Sequence, residues 1–97
     1  MKPYRLLRRA ELELEDARQF YRAESPDLGD RFLDEFESVM ERLGHFPESS
    51  PRLSRRLRVA RLSLFPFNVI YQIKPDFILV VAVGHQSRKP GYWRGRT

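Results

Sequence analysis

The chain has no cysteine and, among its 97 residues, only two histidines, His45 and His85. Without thiols there is neither a disulfide framework nor a thiol nucleophile, a composition suited to a reducing compartment, and the expected location is cytoplasmic. Two histidines far apart in sequence, with no pair at ligand spacing and no Gly-rich phosphate loop, leave no metal or cofactor to expect. No apolar run approaches the ~18 residues of a membrane-crossing helix, and MKPYRLLRRAELELED lacks the apolar centre of a signal peptide, so neither is expected. Acids are scarce in the C-terminal half, where Asp76 is the only one after Glu48. The formal net charge of +5 therefore resides mainly there and favours an anionic partner: nucleic acid, a membrane surface or an acidic protein segment.

The length supports one core, hence one domain over residues 1–97, and the 41% hydrophobic fraction is ordinary for a folded chain. The stretch from Arg58 to His85 organises the rest. Phe67, Val69, Tyr71 and Ile73 alternate with Asn68, Ile70 and Gln72, the period of two of a strand with one face more deeply buried. Phe77 to Val83 is an unbroken apolar run, short and β-branched, which reads as a strand covered on both faces. Lys74-Pro75-Asp76 between them is turn chemistry, predicting an antiparallel hairpin. The Arg-rich run Arg55 to Leu62 reads as a further strand, and Tyr4-Arg5-Leu6 as a short first one.

Between these strands the period changes. Ala10, Leu14, Ala17 and Tyr21 mark one helix face, and Leu28, Phe32, Phe36, Val39, Met40 and Leu43 a second, longer one. Ser25-Pro26-Asp27 ends the first helix and starts the next, and Gly44 followed by Pro47 reads as the stop. The predicted fold is α+β, with an antiparallel sheet covered by an N-terminal helical hairpin, order β-α-α-β-β-β, and a short basic C-terminal tail. Glu48 to Ser54 reads as the most mobile interior loop. The helix carboxylates read as solvated charges opposite the apolar stripes.

The residues left for function are cationic. Arg58 and Arg61 lie three apart and so face opposite sides of an ideal strand. Arg88, Lys89, Arg94 and Arg96 surround Tyr92 and Trp93, a combination that suits phosphate binding and base stacking or, equally, a tail whose Trp packs back on the sheet. His85, closing the last strand, has the chemistry of a general acid and also of a strand-end hydrogen-bonding group.

Ser25 to Phe32 (SPDLGDRF), Pro47, Arg58, Phe65 to Tyr71 (FPFNVIY) and Val81 to His85 (VAVGH), with Arg88, Pro90 and Trp93, together resemble the RelE/ParE toxin superfamily, closest to its ParE, or plasmid stabilisation, branch. The resemblance covers nearly the whole chain. It implies the toxin of a type II toxin–antitoxin system, a cognate antitoxin, a hetero-oligomer with it, and no membrane partner. It implies a target too: DNA gyrase in the ParE branch, translating ribosomes and mRNA in the RelE branch. Asn68 and Gln86 stand where the nuclease branch places arginines, which favours a ParE-like gyrase inhibitor that is not itself an enzyme. The alternatives are a ribosome-dependent mRNA endonuclease using Arg61, His85, Arg88 and Tyr92, or a binding module of the same fold without toxicity. Expected target or nucleic-acid contacts are Arg58, Arg61, Arg88, Lys89, Tyr92, Trp93 and Arg94.

Overall fold

A computed structural model describes all residues, 1–97, as β1 (Tyr4–Leu6), α1 (Arg8–Glu24), α2 (Pro26–His45), β2 (Leu57–Arg61), β3 (Phe67–Ile73) and β4 (Ile78–His85). The strands form one sheet in the order β1-β4-β3-β2. The predicted element order is observed. The sheet is mixed rather than wholly antiparallel, because β1 pairs parallel with β4, Tyr4 opposite Ile78 and Leu6 opposite Val80. Only a tight turn forces neighbouring strands to run in opposite directions, and β1 reaches β4 through most of the chain.

The helical hairpin covers one face. Phe32, Phe36, Met40 and Leu43 of α2 and Ala10 and Ala17 of α1 are buried with Ala60, Val69, Tyr71, Ile78, Val80 and Val83. Each large side chain so buried contributes about 1.5–3 kcal/mol, enough to make this layer the main source of stability. Tyr21, Phe32, Phe65 and Phe67 form an aromatic knot at one end, with Tyr21 and Phe65 centroids 4.7 Å apart. Ser25 stands at the start of α2 but makes no capping bond through its side chain. α2 stops at His45, between Gly44 and Pro47 as the sequence predicts, although Gly44 is itself still helical. It is buried where the chain start crosses the helix, and a methyl group there would come within 2.7 Å of the Lys2 carbonyl oxygen.

The opposite face has a smaller core. Leu57, Ile70, Val81 and Ala82 are buried there beneath the C-terminal aromatics Tyr92 and Trp93. Both Val81 and Ala82 reach this side because the β3–β4 register shifts at Ile70/Tyr71, leaving one extra residue in β4 and reversing its inside–outside alternation. The bulge explains how the run is covered on both faces. The loop read as mobile is tied down: the Val59 N–H donates to Pro51 O, the Leu53 and Ser54 N–H groups to Leu57 O, and Arg58 to Glu48 O and Ser50 O.

Candidate functional site

The exposed side of the small core is where most predicted residues meet. Arg61, Asn68, His85, Gln86, Arg88 and Tyr92, together with Trp93, line a concavity of ≈ 220 Å³. Arg61 faces it because it shares the β2 face of Leu57 and Val59, opposite Asn68 in the ladder. Arg58 does not join them. Opposite Tyr71, it lies on the helix-covered face, where its guanidinium holds Ser50 O at 2.8 Å. Lys89 and Arg94 are exposed and lie outside the concavity.

The tail is not a solvated extension. β1 ends opposite Val80, so the edge of β4 beyond it has no strand to pair with. Side chains take over that edge: the Val83 N–H donates to Glu13 Oε1 (3.1 Å) and Arg96 Nη1 donates to Val81 O (3.1 Å). Arg96 also grips Glu13 through two bonds of 2.7 and 2.9 Å, and Arg88 Nη1 reaches the same carboxylate at 2.5 Å. This fork is charge-assisted and bidentate, the strong form of such a pair. The Arg96 side chain is only 2% exposed and that of Glu13 15%. Burial by itself would raise the Glu13 pKa, but hydrogen bonds from Arg96, the Val83 N–H and Arg88 outweigh it and hold the carboxyl below its ordinary value.

Glu13 corrects the reading of the helix acids as solvated charges. Three residues after Ala10 and four before Ala17, it belongs to the buried stripe of α1. An acid in an apolar stripe requires a buried cation, and that signal is present in the sequence. Glu35 is a second exception, accepting from the N–H groups of Ser63 and Leu64 and so shaping the β2–β3 loop.

Tyr92 is clamped between these groups. The Arg88 guanidinium lies 3.9 Å from its ring centroid, and its hydroxyl rests on Gly84. Burial, then the nearby Glu13 carboxylate, raise its pKa despite the two arginines, so the phenol stays protonated at neutral pH. His85 Nδ1 accepts from the Ser87 N–H at 3.0 Å, leaving Nε2 as the free ring nitrogen. No three His, Asp or Glu side chains stand close enough to share a metal ion.

A methyl group at Gly84 would lie 2.1 Å from the Tyr92 oxygen. Gly84→Ala is therefore expected to displace the ring and destabilise the protein by about 1–3 kcal/mol, the usual range for overpacking. Chemical denaturation checks this; an unchanged midpoint with unchanged Trp93 fluorescence would mean that the tail does not pack as described.

A family model described as ParE toxin of type II toxin-antitoxin system, parDE, matches residues 4–90. Among solved structures, one titled "Chromosomal ParDE TA system from P. aeruginosa" is similar at a TM-score of 0.73 and 17% identity, covering 88% of this chain and 96% of that one. At that identity the likeness concerns the fold. Among curated proteins, no sequence matches this one.

Proposed function

This chain belongs to the ParE toxin family of type II toxin–antitoxin systems, and from that membership we propose that it is a toxin restrained by a cognate antitoxin and acting by binding DNA gyrase rather than by cutting RNA. The observation that carries the second half is the state of the nuclease candidates. Cleavage by side chains requires proton donors and acceptors, and cations free to meet the developing charge on phosphate. Arg88 is committed to Glu13 and Tyr92 is wedged against Gly84, while Asn68 and Gln86 supply no charge; His85, exposed and with Nε2 free, is left without a free cation beside it other than Arg61. Arg61 alone of the arginines in that set has no carboxylate partner. The concavity suits recognition of a partner better than acid–base chemistry.

For the antitoxin, Leu12 and Phe20 of α1 are 47% and 63% exposed on the helical layer, apolar surface that an amphipathic segment folding on contact would bury. The C-terminal cationic half favours an acidic partner. Copurification from the native operon is expected to bring down a small acidic protein.

The target is decided by two assays on one induced culture. Purified toxin is expected to block supercoiling of relaxed plasmid by gyrase, and primer extension on cellular mRNA is expected to show no new ends. Codon-positioned cuts that vanish without translating ribosomes would overturn the gyrase reading in favour of the nuclease. Failure of both, with antitoxin binding retained, would leave a non-toxic binding module.

A further inference from the structure

A second cationic feature lies at the other end of β2, outside the concavity of Arg61 and Tyr92. Arg52, Arg55, Arg56 and Arg58, with Glu48, Leu57, Gln72 and Ile73, line a hollow of ≈ 310 Å³. Four guanidiniums against one carboxylate leave an excess of positive charge, and none of the four lies within ion-pairing distance of an acid. Arg52, Arg55 and Arg56 are exposed, so this charge is presented rather than neutralised.

The hollow is a formed structure. Arg58 anchors its floor by holding Glu48 O and Ser50 O, and Arg52 Nη1 donates to Arg55 O. The Leu57 N–H donates to Ser54 Oγ, and Arg52 bridges to Arg58, so the chain itself occupies this part of the β2 edge. That self-coverage disfavours an added peptide strand, which needs an open edge. What remains on offer is side-chain guanidinium, whose planar fork matches phosphate oxygens in pairs. A single carboxylate would leave most of the charge uncompensated, whereas phosphate groups carry more oxygens and more charge into the same volume.

We infer that this hollow is a phosphate-binding site, in which Arg52, Arg55 and Arg56 contact the anion and Arg58 is a positioning residue. The phosphate belongs either to a nucleic-acid backbone or to a free polyphosphate. The site is independent of the choice of toxin target.

Calorimetric titration of the full chain with sodium pyrophosphate, and anisotropy titration with a labelled DNA duplex at two salt concentrations, test it. Arg55→Gln/Arg56→Gln is compared with Arg9→Gln/Arg31→Gln, which removes the same charge from exposed helical positions. The hollow variant is expected to weaken pyrophosphate binding at least 10-fold with an unchanged melting temperature, and the helical variant less than 2-fold; loss of two contacts lowers the salt slope for DNA by about 2. Pyrophosphate binding without duplex binding assigns a free polyphosphate, and both together assign a backbone. Equal loss in the two variants would reduce the effect to net charge and overturn the site. So would binding of neither probe, or preference of the hollow for a short polyglutamate peptide over pyrophosphate.

Discussion

Deletion of everything after Gly84 is expected to unfold the domain, not merely to silence it. Read from sequence, the segment follows the last strand, so its loss need not dismantle the hairpin unless Trp93 packs back on the sheet. In the structure it supplies Tyr92 and Trp93 to the second core and Arg96 to the unpaired edge of β4. Removing it uncovers Leu57, Ile70, Val81 and Ala82 and leaves Glu13 in a buried stripe without its cations. Losing a buried large aromatic costs about 3–5 kcal/mol and stranding a buried charge a similar amount. Even discounted for the partial exposure of Tyr92 and Trp93, the sum is on the order of 5 kcal/mol, comparable with the whole stability of a small domain. Circular dichroism of the truncated chain should show no cooperative thermal transition. A transition close to that of the full chain would mean that the tail is an appendage, and a toxicity loss could then be assigned to target contacts.

Glu13→Ala is expected to cost about 3–5 kcal/mol, the range for breaking a buried pair from one side. It leaves the 2%-exposed Arg96 guanidinium without its counter-charge and the Val83 N–H without an acceptor. Glu13→Gln should recover part of the loss, since an amide oxygen still accepts from Val83 while the charge is gone. The same carboxylate gives acid sensitivity of defined sign. Its folded pKa is depressed, so its contribution is complete above the ordinary carboxylate range and is lost as pH falls through the lower folded value. Denaturant midpoints for the two chains should therefore differ at neutral pH and converge toward strongly acidic pH. A constant gap across that window would remove Glu13 as its source.

Where residue patterns answer to one local rule, the sequence was a sufficient guide. The stripe Phe32, Phe36, Met40, Leu43 has the helical period, and Lys74-Pro75-Asp76 has turn chemistry, so α2 and the β3–β4 hairpin followed directly. The candidate concavity was legible as a list, since Arg61, His85, Arg88 and Tyr92 do share it. Its chemistry was not, because the partner that occupies Arg88 lies 75 residues away on α1. The direction of β1 was equally hidden: three alternating residues carry no information about orientation. Nor does a continuous apolar run disclose the bulge that turns Val81 and Ala82 to one side. Arg58, grouped with Arg61 by charge, separates from it because strand parity places it against the helical layer.

The contact between Glu13 and Arg96 joins residues 83 apart, nearly the full length of the chain. Its cation and the rings that close the second core both follow β4 in sequence. A folding intermediate that holds the helices and strands but has not docked the segment after β4 lacks the groups that complete the outer layer and the edge of β4. Closing so long a loop also comes late on entropic grounds, after nearer contacts have formed. The segment after β4 is therefore expected to dock late in folding, and until it does the outer sheet face over Leu57, Ile70, Val81 and Ala82 stays open.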